Sequence, residues 1–234
     1  MRLRSGALAL LLLLFVHAGG QEQRAAEARG DAFVRVLGTR FVHNGKPLFV
    51  SGFNTYWLMN LGADQAKHGI KMILSLVNYY HDYGGRKQYV DWAKNQGQNI
   101  PSDDAFFTNP VIKGFYMNHI KAILTRVNTL TGVAYKDDPT IMAWELMNEP
   151  RCQCDVTCPT IFQSWITEMA AHVKSIDGNH LLDAGLEGFY GLLPPLSRSS
   201  MNPLRHDKMG IDFIANNQVP GVNVEEIGKA QRTQ

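Results

Sequence analysis

Asn148, Glu149 and Pro150 close the run "AWELMNEPRC". An amide and a carboxylate stand side by side at the end of an apolar stretch, just before a residue that stops a hydrogen-bond ladder. A carboxyl in that setting suits general acid/base chemistry, with the amide orienting what it acts on. Strand alternation puts Glu145, Met147 and Glu149 on one face and Trp144, Leu146 and Asn148 on the other. Glu145, mid-strand, reads as a buried structural carboxylate that needs a cation or donor. Glu149 reads as the carboxylate a ligand can reach.

Hydrolysis of a glycosidic bond takes two carboxyls, about 5 Å apart for retention and about 6.5–9.5 Å for inversion. Glu145 and Glu149 are about 13 Å apart along one strand at ~3.3 Å per residue, so they are not that pair. The partner of Glu149 must come from another strand. Glu187 ends the next strand-like run and is the nearest candidate, although a structural hydrogen-bonding role at its glycine turn suits it better. Aromatic residues gather after the same strand ends: Tyr56 and Trp57, then Tyr79, Tyr80 and Tyr83, then Phe189 and Tyr190. Sugar rings stack on such side chains, and Trp57 is the expected substrate-binding member.

Other chemistries lack their motifs. There is no G-x-S-x-G elbow, P-loop, H-E-x-x-H or dinucleotide fingerprint. The eight histidines show no metal-ligand spacing. Cys152, Cys154 and Cys158 lack C-x2-C spacing and a fourth ligand, so one disulfide and one free thiol are expected. Cys154–Cys158 and Cys152–Cys158 are both sterically open pairings. No metal or cofactor is expected. A net charge of +2 without a Lys/Arg block excludes a nucleic-acid partner and an acidic membrane surface.

The elements that must position these residues are strands and helices in alternation. Asn44-Gly45 predicts a hairpin between residues 40–43 and 47–50, the second strand continuing through "LFVSGFNTYW". "KMILSLVN", "IMAWELMNEP" and "HLLDAGLEGFYG" are apolar runs that turn polar at their ends. Between them lie two amphipathic helical patterns. One carries Ile112, Phe115, Ile120, Ile123, Leu124 and Val127; the other carries Ile161, Trp165, Ile166, Met169, Val173 and Ile176. Buried strands alternating with helices predict a parallel α/β fold, and polar strand ends are where (β/α)8 barrels keep their chemistry.

The first twenty residues read differently. Arg2 and Arg4 precede an apolar run centred on five leucines, followed by Ala18, Gly19 and Gly20. That order is a secretory leader, too short for a membrane span. The expectation is a secreted, extracellular protein with no membrane segment after cleavage near Gly20-Gln21.

Taken together, "FNTYWLM", "ILSLVNYYHDYGGRKQYVDWA", "YKDDPTIMAWELMNEPRC" and "HLLDAGLEGFYG" resemble the plant endo-β-1,4-mannanases of glycoside hydrolase family 5. The resemblance implies a (β/α)8 TIM-barrel fold and retaining hydrolysis of mannan, glucomannan or galactomannan in plant cell walls. It implies Glu149 as acid/base and Asn148 as a sugar-binding amide. Two departures follow from it. Residues 60–71 leave no room for the family's second strand, since a parallel crossover alone takes a dozen or more residues. The family's C-terminal strands, and the nucleophile after its seventh strand, find no counterpart beyond a faint echo at Glu226. The expected organisation is a leader (1–20), a loose N-terminus (21–31), an incomplete barrel (32–221) and a divergent tail (222–234). The expected activity is weak or nil, the rivals being a non-catalytic mannan-binding remnant and a non-functional splice or pseudogene product.

Overall fold

A computed structural model of the chain describes residues 32–52, 69–82, 84–152, 157–191, 202 and 210–223. The predicted leader, Trp57, Tyr83, Cys154 and Glu226 lie outside the described residues. The chain divides into two compact units, Met1–Ser51 and Gly52–Gln234.

The first unit carries an antiparallel meander of β1 (Arg35–Leu37), β2 (Arg40–His43) and β3 (Lys46–Leu48). The β2–β3 hairpin turns at the predicted dipeptide, with Asn44 at φ 52° and Gly45 at φ 70°. Two left-handed residues in succession make the type I′ turn whose twist matches that of its strands. The strand ends at Leu48, and residues 49–52 carry no strand, so its predicted continuation fails there.

The second unit is built on a parallel sheet of β4 (Met72–Ser75), β5 (Ile141–Glu145) and β6 (Leu181–Asp183), in that order. Every residue of β5 and β6 is buried, as expected of parallel strands covered on both faces. β4 alternates between half-buried and exposed, with Ile73 41% accessible. The helices are α1 (Arg86–Asn95), α2 (Pro110–Thr125), α3 (Cys158–Ile176) and the short α4 (Phe213–Asn217).

Helix α2 starts where the sequence dictates. The Asn109 side chain accepts hydrogen bonds from the backbone N–H groups of Val111 and Ile112, and Pro110 takes the first helical position. Its buried stripe is Ile112, Tyr116, Ile120 and Leu124. Phe115 and Ile123 pack at the edge of the core, whereas Val127 lies past the helix and is exposed. Helix α3 buries Phe162, Trp165, Ile166, Met169 and Val173 as its periodicity predicts. Helix α1 was not expected, because only Tyr89, Val90 and Ala93 of its apolar residues are buried.

Phe106 and Phe107, from a 3-10 turn at Asp103–Phe107, meet Tyr116, Phe162 and Trp165 in one aromatic cluster. No helix among the described residues is long and apolar enough to cross a membrane.

Candidate active site

The regular β5 ladder ends at Glu145, but its backbone still reaches both neighbours. Leu76 N–H donates to the Glu145 carbonyl (2.9 Å), and Leu146 N–H donates to Asp183 O (2.8 Å). Asn148 then donates to Val77 O (2.9 Å), and Glu149 to Gly185 O (3.1 Å). The predicted alternation therefore does not continue unbroken from Glu145 to Glu149. Leu146 forms a bend whose carbonyl accepts a 2.5 Å hydrogen bond from the buried Tyr116 hydroxyl. Glu149 adopts φ 49°, a left-handed conformation that costs a bulky residue on the order of 1–3 kcal/mol. The surrounding hydrogen bonds over-determine the backbone and hold it there.

Glycine at position 185 is what lets β6 come so close. Its φ is 78°, and an added Cβ would overlap the Met147 carbonyl oxygen and lie 2.9 Å from Glu145 Cγ. Glu145 is buried, as its mid-strand position predicts.

Glu149 projects from this frame with its side chain 28% exposed. The Tyr80 phenol lies close enough to feel its carboxylate charge. Arg151 Nη2 lies 4.0 Å from Glu149 Oε2. The same nitrogen is 2.7 Å from Glu187 Oε1, and Arg151 Nε is 2.8 Å from Glu187 Oε2. Two oxygens at 4.0 and 2.7 Å from one nitrogen can be no more than 6.7 Å apart, so the strand ends bring the two carboxyls together. The Arg151 guanidinium also sits over the Tyr80 ring, 5.7 Å from its centroid.

The electrostatics follow from these contacts. The Glu187 hydrogen bonds, opposed by burial, hold the Arg151 guanidinium above its usual range. Burial pushes the Tyr80 phenol up; Glu149 and Glu187 add to that rise and Arg151 opposes it.

Asn148 is buried, and its side-chain amide donates to Asn78 Oδ1 (3.0 Å). Asn78 donates in turn to Asp82 O (3.2 Å), which links the ends of β5 and β4. Beyond Tyr80 the surface opens into a depression of about 370 Å3 lined by Tyr79, Tyr80, His81, Asp82 and Arg86. Arg86 Cζ stacks 4.1 Å from the Tyr79 ring centroid, and Arg86 Nη1 pairs with Asp104 at 2.5 Å.

A part-exposed carboxyl on a strained strand end, beside a tyrosine-lined depression, is an arrangement for proton transfer to a bound ligand. The chain matches the family described as GH family 5 beta-mannosidase-like over residues 63–217. It belongs to glycoside hydrolase family 5. Its curated relatives include mannan endo-1,4-beta-mannosidase 1 of Oryza sativa subsp. japonica, 48% identical over 273 residues that take in 92% of this chain and 62% of the relative. Mannan endo-1,4-beta-mannosidase 7 of Arabidopsis thaliana is 46% identical, over 82% of this chain and 56% of the relative. The chain thus spans about three fifths of the length of these relatives. Among solved structures, the endo-1,4-beta-mannanase from Rhizomucor miehei superposes with a TM-score of 0.67 at 29% identity, covering 81% of this chain and 69% of that one.

These likenesses fix the fold of this family 5 chain as an incomplete (β/α)8 barrel, β4 to β6 being consecutive parallel strands of it. The 273-residue match to the rice relative exceeds the 234 residues of the chain, so at least 39 of its positions face gaps here.

The structure gathers Asn148, Glu149 and Glu187 at the C-terminal end of the sheet. Glu187 lies beyond β6 rather than at its end, past the left-handed Gly185, because the ladder already stops at Asp183. The Tyr190 backbone N–H and C=O are both hydrogen-bonded to the Asn202 side chain. Arg151 was missed. Its signal was a cation two residues past Glu149, with an acid just past the end of the neighbouring strand-like run. The disulfide joins Cys152 to Cys158, Cα atoms 5.6 Å apart, and ties the Arg151 segment to the start of α3. Gly210 seats against it, since a Cβ there would overlap the Cys152 carbonyl oxygen. The described residues contain no His/Cys/Asp/Glu group able to hold a metal ion.

Proposed function

We propose that this chain is a secreted, mannan-directed hydrolase of the retaining type whose acid/base is Glu149, and that its turnover is weak or nil. The observation that carries the reading is Glu149 itself, part-exposed at the C-terminal end of a parallel sheet and 4.0 Å from Arg151, whose guanidinium lies over Tyr80. Asn148 and Trp57 complete the substrate-binding set in this reading, with β-1,4-mannan, glucomannan or galactomannan as the polymer. The names of the relatives support mannan among these.

Weak turnover follows from the state of Glu187. Retention needs a second carboxylate free to attack the anomeric carbon. Glu187 has an oxygen no more than 6.7 Å from Glu149, but both its oxygens are engaged by Arg151. Glu149 can then protonate a leaving group, while the nearest carboxylate is not free to trap the oxocarbenium-like centre.

The test is the purified chain, shown to be folded by circular dichroism and assayed for new reducing ends on galactomannan. The expected result is a slow rate that falls by a further factor of about 100–10,000 in Glu149→Gln, the usual worth of a general acid. A rate untouched by Glu149→Gln sinks the assignment. Robust turnover abolished by Glu187→Gln or Glu226→Gln identifies the nucleophile and overturns the weak-turnover reading. Galactomannan binding without hydrolysis favours a mannan-binding protein. Secretion is checked by N-terminal sequencing of exported chain, expected to begin near Gln21; an intact Met1 refutes it.

A further inference from the structure

Arg151 holds two carboxylates in unequal ways. Its planar fork takes Glu187 with two parallel bonds of 2.8 and 2.7 Å, the geometry that fixes a guanidinium in plane as well as in place. Glu149 gets a contact of 4.0 Å, too long for a hydrogen bond. The difference suits a group that must exchange a proton. A carboxyl gripped by the fork could not offer its oxygens to a substrate, whereas one at 4.0 Å feels the charge and keeps them.

The other members close a ring. The Tyr80 phenol feels the Glu149 charge, and the Arg151 guanidinium lies over the Tyr80 ring. Glu187 is nearly buried, with 8% of its side chain exposed, so it is a fixed post. The Cys152–Cys158 bond begins at the residue after Arg151 and fixes the segment from the other side. Tyr80 from the segment after β4, Arg151 from its own segment and Glu187 from the segment after β6 are the charged or titratable groups gathered with Glu149 by these contacts.

Resting on the acid/base reading of Glu149, we propose that Arg151 is the positioning residue of the site. It works as a charge-balanced clamp in which Glu187 is the anchor that orients the guanidinium and offsets its charge. Glu187 then serves the known chemistry of the family without being a nucleophile.

The experiment follows the carboxyl carbon of Glu149 by NMR across pH in the full chain, with its resonance assigned by loss in Glu149→Gln. Arg151→Met leaves the Glu187 charge uncompensated, so the Glu149 titration moves to higher pH. Glu187→Gln leaves the Arg151 charge uncompensated, so it moves to lower pH. Each displacement is expected to be about half a unit to one unit, below the full effect of an adjacent charge because Glu149 is part-exposed. Arg151→Lys keeps the charge without the fork and falls between the parent and Arg151→Met.

Opposite displacements are what the clamp requires, and a merely structural role would not produce them. Displacement in the same direction, or a Glu187→Gln curve that overlies the parent, overturns the proposal. If Arg151→Met does not fold, Glu187→Gln and Arg151→Lys decide by the same criteria. The reducing-end assay on Glu149→Gln is scored separately. Opposite displacements with no effect of Glu149→Gln on hydrolysis would leave the clamp standing and remove the acid/base reading.

Discussion

The two ends of the parallel sheet carry similar residues in opposite circumstances. At the C-terminal end are Glu149, Arg151, Glu187 and Tyr80. At the N-terminal end are Asp177 and His180, which the Trp144 indole reaches from within β5. Asp177 Oδ2 accepts from Trp144 Nε1 (2.7 Å) and faces His180 Nδ1 (2.6 Å). Its Oδ1 accepts from the backbone N–H groups of Asn179 (2.8 Å) and His180 (3.2 Å). The far nitrogen of His180 meets Asp138 O at 2.9 Å, and neither the Asp177 nor the His180 side chain is exposed. This end is sealed, with ordinary backbone and every carboxylate oxygen of Asp177 engaged. The other end is strained at Glu149 and open beside Tyr80. Acid, base and aromatic together are thus no mark of function; left-handed backbone and solvent access separate a site from a rivet.

The sharpest way to break this contrast is to cut the sealed end. Asp177→Ala should cost roughly 3–5 kcal/mol, because it strands His180 and the Trp144 indole without their acceptor. Denaturant unfolding measures it, and a loss below about 1 kcal/mol would mean that the cluster is ornamental. The same group gives a pH signature. Burial alone would raise the Asp177 pKa, but the hydrogen bond and charge of His180 and the Trp144 bond outweigh it and hold the carboxyl below the usual aspartate range. Its contribution is therefore complete above the unfolded value and is lost as pH falls through the folded one. A melting temperature that declines in acid for the parent, but less steeply for Asp177→Asn, checks the sign.

Gly185→Ala comes next. The left-handed backbone and the overlap with Met147 O predict a loss of about 2 kcal/mol, and the open end should loosen first. Hydrogen exchange at the Glu149 N–H, which donates to Gly185 O, reports it. Smaller again, and of opposite sign, is Glu149→Gly, expected to add about 1 kcal/mol by releasing the strained backbone. Glu149→Gln keeps that backbone and should alter stability by no more than about 0.5 kcal/mol. If Glu149→Gln proved as damaging as Asp177→Ala, the open end would be a second rivet and the contrast would fail.

What the sequence made legible was local. The hairpin at Asn44-Gly45, the cores of β5 and β6 and the buried stripes of α2 and α3 all follow from turn chemistry or period. Tyr116 escaped the stripe of α2 because its polar hydroxyl discounts it as a core residue, yet that hydroxyl is what ties Leu146. Glu149 was legible because it stands just before Pro150, which has no N–H to extend the pairing. Its φ was not, nor was the bend at Leu146, because both arise from hydrogen bonds to Asp183 and Gly185, more than thirty residues away. The Arg151–Glu187 pair spans 36 residues and needs two strand ends to be neighbours before it can be seen. Of the two disulfide pairings left open, only the fold selects Cys152–Cys158.

The aromatic cluster behind the bend gives the molecule optical handles. Trp165 lies between Tyr116 and Phe162, stacked at 5.8 Å from each with interplanar angles of 20° and 15°. Rings held this rigidly and this near one another generate a strong near-ultraviolet dichroism that vanishes once tight packing is lost. Tyr116 joins that stack to the Leu146 carbonyl, so the signal from Trp165 reads the footing of Glu149. Trp144, bonded to Asp177 and edge-on to His180 at 5.6 Å, belongs to the opposite end and answers to acid instead. Replacing Trp144 or Trp165 by Phe in turn and following the remaining signal through a pH titration therefore separates the melting of the two ends.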